Sequence, residues 1–248
     1  MRTLIAMPVY NELKYVAGVI QRVKQFCPNL LVVDDGSTDG TGELLETIHG
    51  INRIVHSTNL GYGQSLIDAF NWAARRGFDW VITMDCDEQH EPERIPDFLR
   101  EMESDEWDII SGSRYLATSG GDDLPPPDRR SINATITETI NALFGLSLTD
   151  SFCGFKAHRV SAMKKLQLTE KGYAFPMQLW PQAWANGLRI REIPVRLIYN
   201  DPTRHFGGML DDAGRRLKHY LGVLGGEIQR LAKPTVPTEV PCSCCCGE

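Results

Sequence analysis

Asp85, Asp87 and Gln89 fall at alternate positions in MDCDEQHEPE (residues 84–93). If the backbone stays extended there, all three side chains project to one side. Two carboxylates and an amide oxygen are hard donors suited to Mg²⁺ or Mn²⁺, and a cation held by so few protein groups keeps positions open for phosphate oxygens. The competing assignment is a polar loop whose acids cap a helix. An EF-hand is excluded, because His90 stands where the turn glycine belongs and Pro96 where the closing glutamate belongs. A second acid pair, Asp34 and Asp35, opens the polar, glycine-rich turn of VVDDGSTDGTGE (residues 32–43).

Such acids need elements to hold them. TLIAMPV (3–9), NLLVVDD (29–35), NRIVHS (52–57) and DWVITMDCD (79–87) read as strands. Helical patterns separate them. Val16, Val19, Ile20 and Val23 repeat on one face, TGELLETIH (41–49) starts at a Thr41 or Asp39 cap, and GQSLIDAFNWAARRG (63–77) closes at Gly77. Strands alternating with helices imply an α/β fold, a mostly parallel central sheet flanked by helices. Ligands of such sheets collect at the carboxyl ends of the strands, where both acid pairs sit. Other phosphate and hydrolase signatures are lacking. There is no G-x-x-x-x-G-K-[ST] and no G-x-S-x-G, and GYGQSL (61–66) lacks the third glycine of a dinucleotide fingerprint.

Beyond DIISGSRY (108–115) the pattern changes. LATSGGDDLPPPDRR (116–130) reads as an exposed loop. SINATITETINALFGL (131–146) follows as an amphipathic helix with Ile132, Ile136, Ile140, Leu143 and Phe144 on one face. RIREIPVRLIY (189–199) alternates as a strand. GRRLKHYLGVLGGEIQRLAK (214–233) is a final helix with Leu217, Leu221, Leu224, Ile228 and Leu231 on one stripe, and Arg215, Arg216, Lys218, Arg230 and Lys233 elsewhere. Core packing and membrane-surface contact both suit that helix. Residues 1–232 are expected to form one domain and residues 233–248 a disordered cysteine-rich tail.

The whole chain of 248 residues carries a net charge of -6, which disfavours nucleic acid as a partner. No signal peptide is visible, and no apolar run approaches the roughly 20 residues that span a bilayer. The expected location is cytoplasmic, either free or peripheral on the cytoplasmic face of a membrane. Cys27, Cys86 and Cys153 are scattered singly and suit a reducing compartment as small buried side chains. For Cys242, Cys244, Cys245 and Cys246, a plain tail, metal scavenging and thioester lipidation all stay open.

The motifs become specific as an ordered set. PVYNE, DDGSTDGT, NLGYG and DCDEQ follow the first four strands, then come GSRY and DSFCGFK. Over Thr3 to Gly208 this set resembles family-2 glycosyltransferases of the GT-A fold, and within them the dolichyl-phosphate or polyprenyl-phosphate mannosyltransferase branch. The resemblance implies that Pro8, Tyr10, Glu12 and Val32 line a nucleotide pocket, that Asp34 accepts a hydrogen bond from the base, and that Asp35 braces the turn. It makes Asp85, Cys86 and Asp87 the D-x-D triplet, with Gln89 an added metal ligand. Arg114 would steady the donor phosphates and Arg204 would lie near them.

The implied reaction is inverting transfer from a GDP- or UDP-sugar, dependent on Mg²⁺ or Mn²⁺, to a polyprenyl phosphate. Asp87 and Arg114 would be catalytic, and Asp150 of DSFCGFK would be the base if the acceptor is a hydroxyl. Arg129, Arg130 and Arg204 are the candidate grips for a lipid phosphate, with the adjoining helix and the last helix against the membrane surface. Two positions depart from the family pattern: Gln178 stands where an acid is usual, and Leu210 where a lysine is usual. A hydroxyl acceptor and a degenerate sugar-nucleotide binding module therefore remain alternatives. A nucleotidyltransferase would carry a glycine- and lysine-rich N-terminal loop, which AMPVYNELK is not.

Overall fold

The computed structural model describes residues 1–116, 123, 125–199 and 207–232. Arg204, most of the loop at 116–126 and the cysteine-rich tail lie outside the described residues. The chain runs β1 (Thr3–Val9), α1 (Val16–Val23), β2 (Leu30–Asp34), α2 (Thr41–Thr47), β3 (Asn52–Val55), α3 (Tyr62–Arg75) and β4 (Trp80–Thr83). A 3₁₀ turn then leads into α4 (Ile95–Glu103), followed by β5 (Ile109–Ser113), α5 (Pro127–Phe144), β6 (Lys156–Arg159) and α6 (Val160–Met163). Last come α7 (Pro176–Ala185), β7 (Ile190–Pro194), a second 3₁₀ turn and α8 (Ala213–Ala232).

The strands form one sheet in the order β3-β2-β1-β4-β6-β5-β7. All neighbours are parallel except the pairs that β6 makes with β4 and β5. The pleat sends Leu4 and Ala6 of β1 to one face, and Ile5, Met7 and Val9 to the other. The first face is covered by α3, α5, α7 and α8, the second by α1 and α4. Apolar cover on both faces explains why β1, β2 and β4 read as continuous apolar runs.

Several expectations need correction. β4 ends at Thr83, so the acids of MDCD lie in the loop beyond it. α5 starts at Pro127, four residues before the expected Ser131, with proline at a first-turn position where its missing N–H goes unused. Arg129 and Arg130 are thus helical. Leu143 is half exposed rather than part of the α5 core face. On α8 the buried stripe is Arg216, Tyr220, Leu224 and Glu227. Leu221 is exposed, and the stripe is rotated by about one residue from the expected one.

Candidate active site

The loops after β1, β2 and β3 are tied together by their polar residues. Asn11 takes the Thr38 N–H at 2.8 Å and gives its own N–H to Ser37 Oγ at 3.0 Å. Asp39 accepts from the Leu13 N–H at 3.1 Å and from the Thr41 hydroxyl at 2.6 Å, while Thr41 Oγ1 accepts from the Glu12 N–H at 3.0 Å. Asp35 gathers the third loop, accepting from the N–H groups of Leu60 and Gly61 at 2.8 Å each. His56 lies between Asp35 and Asp68, at 2.7 and 3.1 Å. Gly36 is left-handed, and a Cβ there would come within 2.5 Å of the Thr58 backbone. The polar turn after β2 therefore serves largely as a lacing between loops, a role its composition does not announce.

These loops border a cavity of about 860 Å³. Pro8, Tyr10, Glu12, Asp35 and Cys86 line it, and Asp85 and Asp87 stand at its edge. Asp34 is 3% exposed and lies beneath that lining, accepting from the Ser37 N–H at 3.0 Å. Val32 is fully buried in β2.

Asp85, Asp87 and Gln89 do converge, but not by alternation along an extended chain. Glu88 between them is left-handed, with φ 61°, and Asp87 Oδ1 accepts from the Gln89 N–H at 3.0 Å. A tight turn brings the three side chains to the wall of a second cavity of about 240 Å³. Asp85 is steadied from its own backbone, whose N–H donates to His90 Nδ1 at 3.0 Å. His90 is stacked on Phe155, and burial lowers its pKa to about 4, so the neutral ring carries its proton on Nε2.

No group of three or more His, Cys, Asp or Glu side chains able to hold a metal occurs among the described residues. The donors here are two carboxylates and an amide. That set fits a hard divalent cation that completes its shell with phosphate oxygens and water. Gly154 of DSFCGFK also fits such a site. A Cβ there would stand 2.7 Å from Asp85 Oδ2 and 2.8 Å from the Tyr62 hydroxyl, so glycine keeps the pocket beside the acids clear.

Arg114 lines the same cavity and is held from below by Asp150. Its Nε and Nη2 donate to the two carboxylate oxygens at 2.6 and 2.9 Å. Asp150 also accepts from Asn133 Nδ2 at 2.8 Å and from the Phe152 N–H at 3.2 Å. Burial alone would raise the Asp150 pKa, but the Arg114 charge outweighs it and holds the carboxyl well below the usual range. Burial alone would likewise lower the Arg114 pKa, and the Asp150 charge reverses that. Asp150 is fully buried and saturated with donors, so it has no face to offer an acceptor hydroxyl. The base role expected of Asp150 for a hydroxyl acceptor needs an open carboxylate face, whereas in the structure its oxygens hold Arg114, Asn133 and the Phe152 N–H.

The second cavity is walled by aromatic residues and cations. Arg129 lines it, with its guanidinium 5.3 Å from the Tyr199 ring. Arg130 points elsewhere, is exposed, and lies 3.6 Å over the Tyr115 ring. Arg216 and Tyr220 of α8 are wall residues that the sequence pattern missed. Arg216 is 3% exposed, and donates to Asp128 at 2.5 Å and to the Leu210 carbonyl at 2.7 Å. A helical spacing of Arg216, Tyr220, Leu224 and Glu227 was the available signal, obscured because two of the four are charged. Gln178 accepts the N–H groups of Thr169 and Glu170, and donates to Glu227 at 3.2 Å. Tyr62 and Tyr173 are stacked at 5.7 Å between centroids and, like Asp85 and Asp87, border both cavities.

The profile described as Glycosyl transferase family 2 matches residues 4–167. A polyprenol monophosphomannose synthase of Mycolicibacterium smegmatis is 33% identical over 205 residues, covering 78% of this chain and 76% of that protein. An undecaprenyl-phosphate mannosyltransferase of Micrococcus luteus is 31% identical over 225 residues, covering 86% and 91%. Among solved structures, glucosyl-3-phosphoglycerate synthase from Mycobacterium tuberculosis with Mn²⁺, UDP and phosphoglyceric acid superposes with a TM-score of 0.67 at 18% identity, covering 94% of this chain and 79% of that one.

Proposed function

The chain belongs to glycosyl transferase family 2, and from that premise we propose that it moves a sugar from a GDP- or UDP-sugar to the phosphate of a polyprenyl phosphate, with a divalent cation at Asp85, Asp87 and Gln89. It is a glycosyltransferase of the GT-A fold. The observation that carries the finer reading is that two cavities meet at Asp85 and Asp87. The larger, polar one, beside Pro8, Tyr10 and Glu12, suits a nucleotide. The smaller suits an anion on an apolar stem, because Arg129 and Arg216 stand among Tyr115, Phe152, Tyr199 and Tyr220.

In this scheme the diphosphate lies across the boundary. A bound cation would supply neutralising charge to the leaving diphosphate. Arg114, pinned in one orientation by Asp150, would add a fixed positive charge at no reorganisation cost. The acceptor approaches the anomeric carbon from the smaller cavity, opposite the leaving group, which gives inversion. A phosphate acceptor arrives already anionic and needs no base, whereas a hydroxyl acceptor does. The burial of Asp150 therefore favours the phosphate reading over the hydroxyl one.

The relatives' names are consistent with this acceptor, one as a polyprenol monophosphomannose synthase and one as an undecaprenyl-phosphate mannosyltransferase. Leu210 lacks the basic side chain usual there, but the buried Arg216 reaches its carbonyl and brings a cation to the same wall. No described helix is long and apolar enough to cross a membrane. Contact with a membrane surface would use the exposed side of α8, where Arg215, Lys218 and Leu221 follow at a spacing of about one turn. The test is transfer of labelled sugar to polyprenyl phosphate and to the matching alcohol, with Mn²⁺ and with chelator. Metal-dependent transfer to the phosphate alone is expected. Equal transfer to the alcohol, or full activity in chelator, overturns the reading.

A further inference from the structure

Tyr62 has no part in the scheme above, yet it reaches the acids at the junction of the cavities. It occupies the first turn of α3, directly after Gly61. Gly61 and Gly63 are needed there for close approach, since a Cβ on either would stand 2.3 Å from Lys171 O or 2.2 Å from Glu170 O. The backbone of residues 170–172 thus packs on the helix start, with the Gln64 N–H donating to Lys171 O at 3.1 Å. Tyr173, two residues later, stacks on the Tyr62 ring. The ring is clamped between a helix terminus and a second loop. Its hydroxyl meets Asp85 over Gly154, where the absent Cβ leaves room for both groups.

We propose that Tyr62 is a positioning residue for the metal site: its hydroxyl donates to the Asp85 carboxylate and fixes the direction in which that carboxylate presents its oxygens to the cation. Asp85 is then held from two sides, through its carboxylate by Tyr62 and through its backbone by His90. A carboxylate aimed by a neighbouring donor loses less freedom when a cation arrives, and removing such outer partners typically weakens metal binding about 10- to 100-fold. The hydrogen bond also couples the 170–173 loop to the metal site through one rigid ring. This inference rests on the proposed cation at Asp85 and Asp87.

The experiment is a titration of the protein with Mn²⁺ in the presence of GDP and, separately, UDP, following free Mn²⁺ by electron paramagnetic resonance. It compares wild type, Tyr62→Phe and Gly154→Ala. Tyr62→Phe keeps the stacked ring and removes only the oxygen. It is expected to weaken Mn²⁺ by about 10-fold or more, to leave nucleotide affinity in chelator unchanged, and to recover turnover when Mn²⁺ is raised to saturation. Gly154→Ala keeps the hydroxyl but pushes it and the carboxylate apart, and is expected to weaken Mn²⁺ as well. Mn²⁺ affinity within about twofold of wild type in Tyr62→Phe overturns the inference while the proposed function stands. An equal loss of nucleotide affinity with and without metal overturns it too, because the hydroxyl would then act on the nucleotide. A large drop in melting temperature in chelator assigns the hydroxyl to the fold instead. Should Tyr62→Phe not fold, unaltered Mn²⁺ affinity in Gly154→Ala decides against the cradle. A wild type that binds no Mn²⁺ with either nucleotide overturns the metal reading itself.

Discussion

At the residue scale, the acids beyond β4 differ in what else they hold. Asp87 is 8% exposed and accepts the Gln89 N–H within its own loop. Asp87→Ala is therefore expected to abolish metal-dependent transfer while costing about 1 kcal/mol of stability, a fall of about 2–4 °C in melting temperature for a chain of this size. Activity assays over a Mn²⁺ range, with melting curves in chelator, check both halves. Substantial turnover at any Mn²⁺ concentration refutes the role. Asp150 is the contrast. Its type and place in DSFCGFK suggested a base, and nothing in a one-letter code reveals that five donors fill its oxygens. The spacing of Asp85, Asp87 and Gln89 singled out three side chains that do share one cavity wall, but not by the geometry it assumed. The extended backbone assumed for them is a left-handed turn at Glu88, a conformation that sequence gives little hint of outside glycine and asparagine.

At the scale of elements, β6 and α8 carry the lesson. β6 is Lys-Ala-His-Arg and shows no apolar alternation, yet Lys156 and His158 are 4% and 1% exposed. Burial lowers the His158 pKa to about 3, with the Lys156 charge adding to the effect. The folded state thus refuses a proton that the unfolded chain takes near pH 6.5. Stability from this group is full above about pH 6.5 and falls as pH drops toward 3, by about 2 kcal/mol at pH 5. His158→Leu should shrink the difference in urea stability between pH 7 and pH 5 by about that amount, and an unchanged difference would refute it. β1, β2 and β4 were legible because both faces of the sheet are covered there, which forces apolar runs. α7 was not, since Pro176 and Pro181 interrupt its pattern and it is buried nearly all round. α8 was misphased because its buried stripe includes Arg216 and Glu227, each satisfied by a partner far off or on the next turn. Gln178 is explained by the same helix: its amide bridges Thr169 and Glu227, so Gln178→Glu would set two carboxylates together. That change should cost about 1–3 kcal/mol, and Glu227→Gln should restore most of it. Additive losses in the double variant, measured by denaturant unfolding, would contradict this bridge.

At the scale of the whole molecule, the sheet's carboxyl edge divides into a larger cavity lined mainly by the first half of the chain and a smaller one lined mainly by the second, the two that the proposed function assigns to nucleotide and acceptor. The first half carries the motifs. The second half carries α5, α7 and α8, whose contributions to the smaller cavity come from widely separated positions such as Arg129, Pro176 and Arg216. That is why the lining of the larger cavity follows motifs in order along the sequence and the wall of the smaller one does not. The division predicts separable kinetics. Arg129 faces the smaller cavity, while Arg130, the neighbouring residue, is turned out over Tyr115. A guanidinium that meets the acceptor phosphate is a charge-assisted contact, so its removal costs about 1.5–3 kcal/mol, or roughly 10- to 150-fold in acceptor KM if binding alone suffers. Arg129→Ala is expected to raise the KM for polyprenyl phosphate in that range and to leave the KM of the sugar nucleotide near its wild-type value. Arg130→Ala should change either by less than about twofold, because an exposed cation on an aromatic face contributes little. Detergent-solubilised, short-chain polyprenyl phosphate separates this effect from membrane contact, which vesicles of anionic lipid would add through the Arg215 and Lys218 side of α8. A rise in donor KM in Arg129→Ala would place that arginine on the nucleotide side and dissolve the division. An effect of Arg130 equal to that of Arg129 would mean that the phosphate is met by the whole first turn of α5 rather than by one side chain in a cavity.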